Sequence, residues 1–356
     1  MQFRGRNSHF RIGGFVRALN HYVGIDIGGT SINVGVVDDS GVVLAKQTQP
    51  SVFNDGREAG LKRIYDLVEE VVAESGVSWS QIQAVGAAAP GTMDIRTGVI
   101  FHPFNLPGWE DLPLRDLLSD WFGKPTVLHN DANAAAYGEY WVGTGRDARS
   151  LVFWTLGTGI GGGIVIDGHL LTGAHSHAGE CGHMIIQMDG GEKSPHGIHG
   201  SLELYASAKA LVRRCQEKLD AGEKSLVSEW LNRGETLTPK LIASAAEEGD
   251  RLADELIMDT ARYLAIGSIN MMHTINPEMI AIGGAMTFGR NDTELGRRFL
   301  AHMKDVIRAH SFPITAERTV IEYASLGADA GFIGAAGCAR EAVATDLDMP
   351  IPARAS

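Results

Sequence analysis

Asp131 stands in the run His129-Asn130-Asp131-Ala132-Asn133-Ala134-Ala135-Ala136, where a strand pattern over Thr126 to Leu128 gives way to a helix. A carboxylate there has the profile of a general base accepting an alcohol proton, a role worth roughly 10²–10⁴ in rate. Asn130 beside it can orient the same alcohol. Both residue types are also good helix N-caps, and one position can cap and catalyse. Two glycine turns, Gly28-Gly29-Thr30 and Gly157-Thr158-Gly159, each follow a buried strand pattern. Glycines let the backbone approach closely and present N–H donors to phosphate oxygens. In-line transfer of an ATP γ-phosphoryl group needs that grip. One short glycine turn is a weak signal, and a matched pair is a stronger one. Asp26, at the mouth of the first strand, can hold hydrated Mg²⁺ or simply cap the turn. Glu180, His183 and Glu203 add two carboxylates and an imidazole, which can bracket vicinal sugar hydroxyls.

The elements that must position these residues repeat along the chain. Val23 to Ile27, Ile32 to Val37 and Val42 to Leu44 read as a strand meander with tight turns. Leu61, Ile64, Leu67, Val68, Val71 and Val72 recur at helical spacing, and Ala84 to Ala88 is a further buried strand ending at Pro90-Gly91. The pattern then returns with Leu151 to Leu156, Gly161 to Ile166 and Leu170-Leu171. Helices follow over Leu202 to Leu219, Leu241 to Glu248 and Arg251 to His273, then a strand from Met279 to Ile282 runs into Gly283-Gly284. Two similar halves, each opening on a glycine turn, predict a duplicated α/β fold with a cleft between lobes.

Composition narrows the partners. The chain has 356 residues, enough for two domains, with 44% hydrophobic and 21% charged residues, the balance of a soluble globular protein. A formal charge of -12 argues against nucleic acid, whose binding needs a basic field. No apolar run reaches membrane-span length. Cys181, Cys215 and Cys338 are too scattered for a disulfide framework, so a cytoplasmic setting is expected. Arg4, Arg6, Arg11 and Arg17 mark residues 1–21 as a basic extension, and Pro350 and Pro352 mark 346–356 as a disordered tail.

Six motifs in order along the chain carry a resemblance. They are Asp26-Ile27-Gly28-Gly29-Thr30, Asn105-Leu106-Pro107-Gly108-Trp109, Asn130-Asp131-Ala132-Asn133, Leu156 through Gly163, Glu180-Cys181-Gly182-His183 and Leu326 through Gly331. Over about residues 22 to 340 the chain resembles the ROK family of sugar kinases and repressors, within the two-lobed actin/hexokinase-like fold of duplicated ribonuclease H-like domains. The resemblance implies a small lobe at 22–129, a large lobe at 130–327 and a helix at 328–345 returning to the small lobe. It implies ATP at the two glycine turns and Gly283-Gly284. It implies sugar at Gly91, Asn105, Asn130, Asp131, Glu180, His183 and Glu203, with Asp131 as base and the lobes closing on the substrate. The implied activity is ATP- and Mg²⁺-dependent hexose phosphorylation in glycolysis. Glucose is the first candidate; fructose, mannose, allose and the N-acetylhexosamines remain open. A homodimer is the usual expectation for a soluble enzyme.

The chain departs from the family in two places. Many members hold a structural zinc through the histidine of Glu-x-Gly-His and three cysteines, but here the cysteine stretch reads Ser194-Pro195-His196-Gly197-Ile198-His199-Gly200-Ser201. Serines are poor zinc ligands, so the usual site is expected to be lost. Cys181, His183, His196 and His199 are the only candidates for a rearranged one. Ser31 also stands where a lysine often follows Gly-Gly-Thr. Three rival readings are a repressor, a nucleotide-driven assembly protein and a non-catalytic sugar sensor. The twenty residues before the first strand are too few for a helix-turn-helix module, the Glu180, His183 and Glu203 set speaks against an assembly protein, and Asp131 speaks against a sensor.

Overall fold

A computed structural model describes residues 19–103, 106–194 and 197–345 of the protein. Asn105, His196, most of the basic extension and the 346–356 tail lie outside the described residues. The first half contains β1 (His21–Ile27), β2 (Ser31–Asp38), β3 (Val43–Pro50), α1 (Arg57–Ser75), β4 (Ile82–Ala89), β5 (Thr92–Asp94), β6 (Val99–His102), α2 (Leu114–Phe122) and β7 (Thr126–Asn130). The second contains α3 (Asp131–Trp141), β8 (Ser150–Leu156), β9 (Ile160–Ile166), β10 (His169–Leu170), α4 (Glu203–Ala206), α5 (Ala208–Asp220), α6 (Leu226–Asn232), α7 (Pro239–Glu247) and α8 (Arg251–Thr274). It continues with β11 (Met279–Gly284), α9 (Glu294–His310), α10 (Pro313–Arg318), β12 (Val320–Tyr323) and α11 (Ala330–Ala344).

Two five-stranded sheets share one topology. The first runs β3-β2-β1-β4-β7 and the second β10-β9-β8-β11-β12. In each, a three-stranded antiparallel meander continues into two parallel strands. The parallel strands carry apolar runs such as Val-Gly-Ile-Asp-Ile because both faces are covered. β3 alternates half-buried and exposed residues along its length, as an edge strand facing water on one side does. Each sheet has its own apolar core, the first against α1 and α2, the second against α5, α7, α8 and α9.

Helices α3 and α11 cross between the sheets at very short range. A Cβ on Gly334 of α11 would stand 1.6 Å from the Ala134 carbonyl oxygen of α3, and Cβ atoms on Gly24 and Gly86 would meet α11 carbonyl oxygens at 1.8 Å. No side chain fits between these backbones. Glu139 of α3 fixes the other end of the crossing. Fully buried, it accepts N–H bonds from Thr144 (2.9 Å), Ser325 (3.1 Å) and Leu326 (2.7 Å) and the Ser325 hydroxyl (3.2 Å). Four donors compensate a buried carboxylate and pin the chain entering α11 to α3.

Candidate active site

Asp26, Asn130 and Asp131 sit at the carboxyl ends of parallel strands, the usual place for ligands in open α/β sheets. Register places Asp26 of β1 beside Ala88 of β4, and Ala88 beside His129 of β7. Asn130 and Asp131 therefore project from the same sheet edge as Asp26, with Gly91 two residues past Ala89, the partner of Asn130. Asn130 caps α3, its side chain accepting from Ala132 N–H (2.9 Å) and Asn133 N–H (3.3 Å). Asp131 is the first residue of that helix, and its Oδ1 accepts from Ala132 N–H at 2.8 Å.

Electrostatics joins four carboxylates into one cluster. Burial raises the Asp131 pKa above the ordinary carboxylate value, against nearby N–H groups and the Asn130 side chain, which lower it. Asp26 is pushed up to about 6, first by burial and then by the negative charge of Asp131, while Asn33 Nδ2 donating at 3.1 Å opposes the rise. Burial also raises Glu180, with His183 and His177 opposing the shift and Asp131 and Glu203 adding to it. The His183 Nε2 to Glu180 Oε2 separation is 3.8 Å. His129, next to the cap, is driven down to about 4 by burial and is a neutral imidazole at physiological pH.

Glu203 connects this cluster to the second glycine turn. Its position is set by Leu202, which is fully buried and donates its N–H to the Met184 carbonyl at 2.9 Å. Glu203 Oε2 accepts the Ile160 N–H at 2.9 Å, and a Cβ on Gly159 would lie 2.2 Å from the same oxygen. A side chain at Gly159 would have to displace the carboxylate from that space. The Gly157 carbonyl accepts from Ala208 N–H at 2.9 Å, tying the turn to the start of α5. Gly283 and Gly284 pair with Thr155 and Leu156, directly before the turn. Gly284 has φ +91 and a backbone approach to Leu156 that excludes a side chain. On the first turn, Gly28 N–H donates to the Ser31 carbonyl (2.9 Å) and Ser51 Oγ to the Gly29 carbonyl (2.8 Å).

Of the zinc candidates named from the sequence, the described ones, Cys181, His183 and His199, are not gathered into a metal-binding group. Cys181 Sγ faces Met271 Sδ at 4.0 Å in the core. His183 leans toward Glu180, and His199 lies in an isolated bridge with Lys193. Among the described residues no group of three His, Cys, Asp or Glu side chains is arranged to hold a metal ion. Two surface cavities, about 340 and 570 Å³, open on the helical side of the second half, lined by Trp230 and Arg233 and by Glu223 and Arg251 among others, and contain none of the candidate residues.

A family model described as the ROK family matches residues 22–342. The chain belongs to the ROK family. The glucokinase of Halalkalibacterium halodurans is 35% identical over 313 residues, 88% of this chain and 93% of that one. The crystal structure of a ROK family glucokinase from Streptomyces griseus in complex with glucose and AMPPNP aligns with TM-score 0.70 at 31% identity, covering 91% of this chain and all of that one. The fold is thus the actin/hexokinase-like fold of ROK hexokinases. The xylose repressor of Caldicellulosiruptor bescii is 30% identical over 92% of this chain and 79% of that one, so ROK relatives include kinases and repressors. Among the described residues no helix is long and apolar enough to cross a membrane.

Two residues of the run His129 to Ala136 carry structure that their spacing does not announce. His129 is a buried neutral imidazole. Asn133, two positions after the base, has its side chain turned away from the cap and into a neighbouring loop.

Proposed function

We propose that the protein is an ATP-dependent hexose kinase, with glucose the first substrate to test and Asp131 the base. The observation that carries this reading is the coupling of Asp26, Asp131, Glu180 and Glu203 around one strand edge, with Glu203 bonded beside the second glycine turn. A repressor needs to bind sugar, but it has no need of a carboxylate placed to take a proton from it. The glucokinase relatives and the neighbour bound to glucose and AMPPNP point the same way.

In this mechanism Asn130, Glu180, His183, Glu203 and Gly91 hold the hexose, and Asp131 accepts the proton of the reacting hydroxyl. The oxygen attacks the γ-phosphorus, the bond to the ADP oxygen breaks, and the proton stays on Asp131 until product leaves. The two glycine turns and Gly283-Gly284 contact the phosphates from the two halves, which act as the lobes of a clamp. Asp26 suits Mg²⁺: it is a hard oxygen donor, and among the described residues Asn33 Nδ2 bonds its Oδ2. The ion, when bound with ATP, neutralises charge on the phosphates. Cytoplasmic hexose entry into glycolysis is the setting that fits.

The test is ADP release over glucose, mannose, fructose, allose and N-acetylglucosamine. Saturable release with at least one hexose supports the reading. Hexose binding with no ADP formation overturns it in favour of a sugar sensor.

A further inference from the structure

Three successive glycines, Gly161-Gly162-Gly163, open β9, and the structure gives each a neighbour. Cβ atoms on Gly161 and Gly163 would strike Ala132 and Ala136 of α3 at 2.7 and 2.3 Å. A Cβ on Gly162 would meet the Gly179 carbonyl oxygen at 2.7 Å and Cys181 Cβ at 3.0 Å. The base's helix and the segment bearing Glu180 are therefore both pressed onto one strand. Asn133 occupies the junction. It is 2% exposed, and its Nδ2 donates to the Ala178 carbonyl at 3.2 Å. A Cβ on Gly179, whose φ is +92, would lie 2.6 Å from Asn133 Oδ1. That oxygen is buried with no donor among the described residues. The Asn133 backbone N–H meanwhile donates to the Asn130 cap, one residue before Asp131.

We infer that Asn133 is a positioning residue for the sugar: it locks the Ala178-Gly179-Glu180 segment to the helix that begins at Asp131, and so fixes where Glu180 stands relative to the base. It touches neither reactant. Its backbone answers to the cap beside the base, its side chain answers to the loop beside Glu180, and the strand beneath leaves no room for either to drift. Deleting the amide removes the one side-chain hydrogen bond between α3 and this segment among the described residues and strands the Ala178 carbonyl. Glu180 then samples positions that no longer match the hydroxyls it must meet, while the nucleotide contacts are untouched. The inference rests on the assignment of Glu180 to the sugar, and its test separates the two.

Binding of each hexose in the panel is measured by calorimetry, the tightest is followed, and melting temperature and ATP affinity are recorded in parallel. Asn133→Ala is expected to weaken hexose binding about tenfold and leave ATP affinity within about twofold, the split of a sugar-positioning role rather than general loosening. In a Glu180→Gln background the same change is expected to cost less than about twofold, because the group being positioned is already altered. Gly179→Ala, which pushes the segment off Asn133 from the other side, is expected to reproduce the hexose-selective loss and guards against an Asn133→Ala chain that does not fold. Equal losses with and without Glu180, or equal losses for hexose and ATP, would overturn the inference. Hexose binding that passes these tests in a protein forming no ADP would sink the kinase reading and leave Asn133 in place.

Discussion

The two halves of the molecule share a strand order and end their strands differently. At the carboxyl ends of the first sheet's parallel strands stand Asp26, Gly91 and Asn130-Asp131; at the matching ends of the second stand Thr155, Gly283-Gly284 and Ser325. One half gathers negative charge, and the other offers small residues and backbone. A duplicated scaffold has thus been divided by chemistry. The carboxylates suit a proton-accepting, hydroxyl-holding surface, and the glycines suit close contact with phosphate oxygens. Glu180 and Glu203 follow the second meander, and the charge of Glu180 is coupled to those of Asp131 and Glu203.

The sharpest break of this contrast is at the matching ends of β7 and β12. Asp131→Asn is expected to lower kcat about 10²–10⁴-fold with hexose binding near normal, while Ser325→Ala stays within about threefold. Steady-state kinetics with calorimetry checks both, and near-normal turnover in Asp131→Asn would remove the base. Next is the pin between the halves. Glu139→Ala orphans four donors and is expected to cost about 3–5 kcal/mol, seen as a fall in melting temperature of about 4–7 °C. An unchanged melting curve would show that the crossing of α3 and α11 holds without it.

The second turn allows a finer comparison. Gly159→Ala drives a Cβ into Glu203 and is expected to lower kcat/KM for the hexose about tenfold. A Cβ on Gly157 meets nothing within 4 Å, so Gly157→Ala should keep wild-type stability and raise only the KM for ATP. A normal ATP KM there takes the turn out of nucleotide binding. The smallest effect concerns Asp26. Its folded pKa of about 6 lies above the ordinary 3.8, so the folded state binds its proton more tightly. The resulting stability is present below about pH 4 and lost as pH rises through about 6. Asp26→Asn should therefore melt about 2–4 °C higher than wild type at pH 8 and show no gain near pH 4. A gain that is independent of pH would assign the effect to something other than charge.

Much of this was legible in the sequence, and the exceptions have physical causes. The meander, its return, and the strand-to-helix junction at Asn130-Asp131 are written in local pattern, because buried parallel strands and N-caps demand particular residue types. β3 extends to Pro50, well past the apolar Val42 to Leu44 run, because an edge strand can be polar on its open face. The helix read over Leu202 to Leu219 breaks at Ser207, which caps α5 by accepting from Ala210 N–H. β12 is too short, at four residues, for its pattern to stand out in the sequence. Glu139 looks like any surface glutamate in a helix; two of its partner residues lie some 186 positions away in sequence. Asn133 is silent for the same reason, its partner being 45 residues distant.

The central claim is tested most directly by a crystal structure of this chain with a hexose and a non-hydrolysable ATP analogue. The account expects one sugar hydroxyl within about 2.6–3.2 Å of the Asp131 carboxylate, with the γ-phosphate of the analogue facing that hydroxyl between the two glycine turns. A sugar seated with Asp131 beyond hydrogen-bond reach of every hydroxyl, or phosphates bound away from both turns, would contradict it.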